Sequence, residues 1–153
     1  MINGIWTSSN TGHANERYSG GYNIYGMRHG DGILGRADGS GYHGQWQNNA
    51  KHGFGVETGR IGTKYIYHGE WAFDKKHGNG TCIFNNANSY VGQWKNDIPE
   101  GKGIFQWKGT GTAVKGKWVA GQLEGKAFVR EVNGVQYEAV FKNGVEQSRS
   151  SQR

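Results

Sequence analysis

Aromatic residues and glycine alternate along the chain in a fixed order. Tyr42, Gly44 and Trp46 stand two residues apart, with polar His43 and Gln45 between them. The order returns at Tyr67, Gly69 and Trp71, and again at Tyr90, Gly92 and Trp94. Weaker copies are Tyr18, Gly20 and Tyr22; Val114, Gly116 and Trp118; and Tyr137, Ala139 and Phe141. The leading positions 18, 42, 67, 90, 114 and 137 are separated by 24, 25, 23, 24 and 23 residues. Strand side chains alternate with period two, so each triplet sets its rings and its glycine on one face.

A second mark trails each triplet. His52-Gly53-Phe54-Gly55, His77-Gly78-Asn79-Gly80 and Glu100-Gly101-Lys102-Gly103 each open at the sixth residue after a Trp. Glu124-Gly125-Lys126-Ala127 does the same after Trp118, and His29-Gly30-Asp31-Gly32 follows Tyr22 with one residue inserted. The polar stretches after the rings, such as Gln47-Asn48-Asn49, suit turns. Asp38-Gly39 is a hairpin-turn dipeptide between units, and residues 85–88 are a looser equivalent. Each unit therefore reads as one β-hairpin. Glycine between two rings bares backbone on which a neighbouring ring can lie. Gly53, Gly55, Gly78, Gly80, Gly101 and Gly103 allow positive φ or close backbone approach.

The expected fold is all-β: an elongated, twisted, single-layer antiparallel meander of tandem hairpins. Residues 1–17 form a lead-in, with Asn3-Gly4 a candidate half-repeat. Residues 18–146 hold six repeats, the last a degraded cap. Residues 147–153 form a flexible basic tail.

In its two coupled marks the chain resembles the MORN-repeat family, whose unit reads roughly YxGxW, a polar stretch, then HGxGxxxxxxG. The resemblance runs from Tyr18 to about Val145 and departs at Val114, Ala127 and Ala139. It implies a protein built into cytoskeletal structures, often ciliary or flagellar, that binds partner helices. It also implies two lesser readings. One is a membrane-surface adaptor for acidic phospholipids; the other is a regulatory module for a separate enzyme, as in repeats fused to lipid kinases and methyltransferases.

Composition narrows the chemistry. Gly supplies 28 of 153 residues, but six Trp, eight Tyr and six Phe argue for a folded chain. The net charge of +6 is scattered, without the run of Lys and Arg that reads as a lipid or nucleic-acid site. No apolar run spans a bilayer and no secretory signal is visible, so a cytoplasmic, cytoskeleton-associated protein is expected. The single Cys82 sits beside Ile83 and Phe84 and reads as a buried thiol. His29, His52 and His77 recur one unit apart, roughly 9.6 Å by strand spacing, too far to share one metal. Glu replaces them at positions 100 and 124, so the position reads as a polar cap on the turn. His43 and His68 should point away from the rings. Glu70 and Asp74 in one unit and Glu100 and Glu124 in two others offer no clear carboxylate pair, Ser8, Ser9, Ser148, Ser150 and Ser151 lie near the termini without a partnered His, and no GxG opens a helix. Neither enzyme activity, nor a cofactor, nor a metal is expected.

One surface then remains. Tyr18, Tyr22, Tyr42, Trp46, Tyr67, Trp71, Tyr90, Trp94, Trp118, Tyr137 and Phe141 should share one face. They either stack on one another between repeats or, with no second layer above them, form an exposed groove for a helix or extended segment of a partner protein.

Overall fold

The computed structural model describes residues 15–61 and 63–150; the candidate half-repeat at Asn3-Gly4 lies outside them. Twelve strands form one sheet. They are β1 (Glu16–Tyr22), β2 (Arg28–Arg36), β3 (Gly41–Gln47), β4 (Ala50–Ile61), β5 (Thr63–Ala72) and β6 (Lys75–Phe84). The second half is β7 (Ser89–Lys95), β8 (Ile98–Gln106), β9 (Ala113–Val119), β10 (Gln122–Arg130), β11 (Gln136–Lys142) and β12 (Val145–Arg149). Their order in the sheet is their order in the chain. This is the expected single-layer antiparallel meander, with one hairpin per repeat.

Register aligns the repeats into rows that cross the sheet. A central row runs Tyr18, Leu34, Tyr42, Glu57, Tyr67, Cys82, Tyr90, Phe105, Val114, Val129, Tyr137. Two residues on, a second row runs Gly20, Gly32, Gly44, Gly55, Gly69, Gly80, Gly92, Gly103, Gly116 and ends at Ala127 and Ala139. The glycine row is a trough with no side chains, and the tyrosine rings lie across it. A Cβ on Gly69 would fall 2.5 Å from the Gly80 Cα and 2.7 Å from the Tyr67 hydroxyl. Each hydroxyl crosses the trough and donates to a carbonyl three residues on: Tyr42 to Gln45 and Tyr67 to Glu70, both at 2.9 Å, and Tyr90 to Gln93 at 3.0 Å.

A third row holds the tryptophans. Each Trp indole N–H reaches back to a glycine carbonyl of the preceding unit: Trp46 to Gly32, Trp71 to Gly55, Trp94 to Gly80 and Trp118 to Gly103, at 3.1–3.3 Å. The rings form one edge-to-face chain. Tyr42 meets Trp46 at 5.2 Å and Trp71 at 5.4 Å; Tyr67 meets Trp71 at 5.1 Å and Trp94 at 5.3 Å. Tyr90 bridges Trp94 and Trp118 in the same way. Such pairs contribute about 0.5–1.5 kcal/mol each beyond their burial.

Two kinds of connection join the strands. Within units two to six the turn has two residues at positive φ, as at Asn48-Asn49 (48° and 71°) and Phe73-Asp74 (49° and 67°). That is the turn whose twist suits a right-handed strand pair. Unit one carries a five-residue loop instead, residues 23–27, which accommodates its inserted residue. Between units the loops are longer, at four to six residues, except where β4 ends at Ile61 and β5 starts at Thr63. Asp38 there accepts from the Ser40 N–H at 2.9 Å, in the loop that Asp38-Gly39 marks in the sequence. Gln147 to Arg149 belong to β12 rather than to the expected flexible tail. The Arg149 guanidinium lies 4.7 Å over the Tyr137 ring and draws the strand onto the sheet.

The trough yields a direct test. Gly69→Ala places a methyl against backbone and should destabilise the fold by roughly 1–3 kcal/mol. Gly35→Ala, where a Cβ meets open space, should shift stability by no more than about 0.5 kcal/mol. Urea unfolding of the two variants checks the contrast; equal losses would show that the trough does not set the packing.

Candidate functional site

The structure brings the expected rings onto one face but does not expose them. Tyr18, Tyr42, Trp46, Tyr67, Trp71, Tyr90, Trp94 and Trp118 are each 8% exposed or less, and Tyr137 is 9% exposed. Tyr22 and Phe141 are half-buried. This corrects the expectation of an open groove along the ring stripe. The rings lie down in the glycine trough and cover one another instead of standing out from the sheet.

A set of lids completes their burial. The strand residue opposite each ring in the third row folds over the rings. In the first three units it is a cation. The Arg28 guanidinium lies 4.9 Å from the Tyr18 ring and 5.2 Å from Trp46. The Lys51 ammonium lies 4.0 Å from Trp71, and Lys76 lies 4.3 Å from Tyr65 and 5.5 Å from Tyr67. In the next two units Pro99 and Leu123 occupy the same register position. Lys51 is further held by Glu57, the one carboxylate in the central row. Glu57 accepts from the Lys51 ammonium and, at 2.7 Å, from the Tyr65 hydroxyl. The sequence signal for the lids is the residue just before each His-Gly or Glu-Gly element.

The residue before the Trp has an equally specific task. Gln45 accepts from the Phe54 N–H at 2.7 Å, Glu70 from Asn79 at 2.8 Å and Gln93 from Lys102 at 2.7 Å. These bonds secure the bulge that units two to four make beside the Trp. Gly53, Gly78 and Gly101 turn the bulge at φ of 70°, 57° and 101°, a conformation that favours glycine.

The position shared by His29, His52, His77, Glu100 and Glu124 divides by residue type. Glu100 accepts from the Ala120 N–H at 2.8 Å and Glu124 from Asn143 at 2.9 Å, so both hold the turn of the next unit. In the histidine units the next turn supplies the clamp itself. Asn49, Asp74 and Asp97 accept from the N–H of Arg28, Lys51 and Lys76 at 2.8–2.9 Å. The expected turn cap is therefore made by the glutamates, whereas His52 instead sets its ring edge-on to Phe73 at 5.1 Å. Among the described residues no three His, Cys, Asp or Glu side chains gather in a group that could hold a metal ion. No described helix is long and apolar enough to cross a membrane. His43 and His68 are exposed on the face away from the rings.

Two surfaces remain open. On the ring face, Phe105 of the central row and Tyr65, Phe84 and Trp107 beyond it form an aromatic ledge. Phe84 and Phe105 stack at 6.2 Å, Trp107 leans on Phe105 at 4.6 Å, and Trp107 is 39% exposed. Phe84, Phe105 and the loop residues Asn85, Asn86 and Asn88 border a hollow of about 350 Å³. On the opposite face, Ile33, Val56, Val91, Ile104 and Phe128 stand exposed. The triplet pattern gave no sign of the ledge, because its residues lie outside the triplets.

The MORN repeat family model matches residues 42–64, 67–89 and 90–111. Residues 42–111 carry three MORN repeats in succession. The three matched MORN copies fall on the hairpins β3–β4, β5–β6 and β7–β8, where tyrosine, trough glycine and tryptophan are all present. Such repeats mark a repeat protein of the adaptor type. No curated protein matches the chain. Beyond the matched MORN copies, Val114 replaces the tyrosine and does not reach across the trough. Ala127 then fills the space with its own methyl, and Leu123 covers it. Tyrosine and glycine are thus lost together.

Burial pushes the phenols of Tyr18 and Tyr90 up to about 12, and raises those of Tyr42 and Tyr67 as well. It pushes the Cys82 thiol up to about 11. An unfolded tyrosine ionises near 10. The stabilising contribution of Tyr18 and Tyr90 is therefore whole below pH 10 and is lost as pH rises through about 12. Alkaline titration should show the buried phenolates appearing together with loss of the β-sheet signal. Complete phenolate formation in an intact sheet would contradict this.

Proposed function

We propose that the chain is a non-catalytic scaffold that holds a segment of a partner protein on its ring face. Its setting is a larger cytoskeletal assembly, ciliary or flagellar, of the kind the family resemblance implies. The observation that carries the reading is the aromatic ledge of Tyr65, Phe84, Phe105 and Trp107. It continues the buried ring chain to a place where rings meet solvent beside a hollow. Tyr and Trp at such rims are favoured binding anchors. The proposed contact thus moves from the stripe itself to its open border. A non-catalytic role is supported by the use of polar groups. Gln45, Glu70, Gln93, Glu100 and Glu124 all bind backbone within the repeats.

Affinity capture from native extract, with the wild-type chain and a Phe84→Ala/Trp107→Ala variant, tests this. The variant must melt as one folded species. A co-purifying protein should fall roughly tenfold in yield, the usual consequence of losing hot-spot aromatic residues. Equal recovery by both proteins would remove the ledge from the account.

A further inference from the structure

The face opposite the rings changes character along the array. One row there holds His43, Val56, His68 and Thr81 on β3–β6. On β7–β10 the same face holds Lys95, Lys102, Lys115, Lys117, Lys126 and Arg130, all exposed. None of the six makes an ion pair with another described residue. These cations are scattered in the sequence, and the register assembles them. Lys102 lies directly opposite Lys117, and Lys115 stands between Ile104 and Phe128. Like charges placed directly opposite are destabilising in a sheet. The nearest carboxylates are few. Glu100, which borders the same hollow as Lys95, is engaged by the Ala120 N–H; Glu124, opposite Lys117, is engaged by the Asn143 N–H; and Glu138 lies at the far side, opposite Phe128.

Lys117 adds an independent observation. Its position in units two to four belongs to Gln45, Glu70 and Gln93, which secure the bulge by accepting a backbone N–H. A lysine ammonium has no acceptor to offer. Unit five therefore forgoes a bond that its predecessors make, and presents a positive charge in its place.

We infer that the outward face of β7–β10 is a docking surface for an acidic, partly apolar segment of a partner protein. Cations two residues apart on a strand are separated by about 6.8 Å, and neighbouring strands by about 4.8 Å. Carboxylates at alternate positions of an extended segment match the first spacing. Val91, Ile104 and Phe128 lie among the cations and offer apolar contacts between them. A bilayer fits this face less well. The most exposed apolar residues, Ile24, Tyr25, Val132 and Phe73, lie in the turns and loops between strands and not on this face. Nucleic acid fits less well too, because the face offers Phe128 alone as an exposed ring for stacking. The inference stands apart from the ledge proposed above, since it concerns the other side of the sheet.

The test uses the full chain and a fluorescent peptide alternating Glu with Val, with a Lys-Val peptide as control. Anionic phosphatidylserine vesicles and a single-stranded DNA oligonucleotide are measured in parallel. The Glu-Val peptide should bind, weaken with salt, and lose roughly tenfold in affinity in Lys102→Glu/Lys117→Glu. Lys117→Gln separates the two roles of the position: it should melt higher than wild type and bind the peptide more weakly. Trp107→Ala should leave peptide binding unchanged, which keeps a failure of this face distinct from a failure of the ledge. Equal peptide affinity in wild type and the charge-reversed variant would overturn the inference. Binding to vesicles or DNA with no binding to the peptide would overturn it as well.

Discussion

The whole sheet depends on a tyrosine ring lying flat across a backbone that has no side chains. A single layer has no second layer to shelter its apolar face. Here each layer position shelters its neighbour. Tyr42, Tyr67 and Tyr90 lie down over the glycine trough, which frees their flanks for the tryptophans of two successive units. The glycines are costly for a strand in entropy. The ring that covers them offsets that loss by burying its own surface and by bonding its hydroxyl to the strand beneath. Where the ring is gone, at Val114, the glycine is no longer needed, and Ala127 takes its place.

Around this contact the remaining positions compensate one another. Lys51 and Lys76 cover rings with an aliphatic stem and a charged tip, while Pro99 and Leu123 cover them with carbon alone. Pro99 has no N–H to offer an Asp or Asn in the next turn, and that turn has Gly121 instead. The clamp passes to Glu100, which holds the Ala120 N–H. Histidine with Asn or Asp, and glutamate with Gly, are two solutions to one problem: joining the edge of one hairpin to the turn of the next.

Much of this was legible in the letters. Period-two alternation gave the strands, the 23–25-residue spacing gave the hairpins, and the polar stretches gave the turns. The exposure of the rings was not legible. It depends on whether a ring stands up or lies down, and that follows from the glycine row, which forms only when residues far apart in sequence come into register, as Gly80 and Gly103 do on either side of Gly92. The lids escaped for a similar reason, because Arg28, Lys51, Pro99 and Leu123 share a register position but no chemical type. The cationic face escaped because its residues are dispersed along the chain and meet only through pairing.

The bonds between units also have a direction. The Trp46 indole and the Asn49 backbone N–H reach back to Gly32 and Arg28; units three to five repeat both bonds, and unit six, with Phe141, repeats the backbone bond from Gly144 to Leu123. A hairpin is therefore finished by the one that follows it. A chain made from its N-terminus can lay down its units in the order of synthesis. Each new hairpin leaving the ribosome closes the aromatic face of the last, so a growing chain shows the cell one unfinished face at a time.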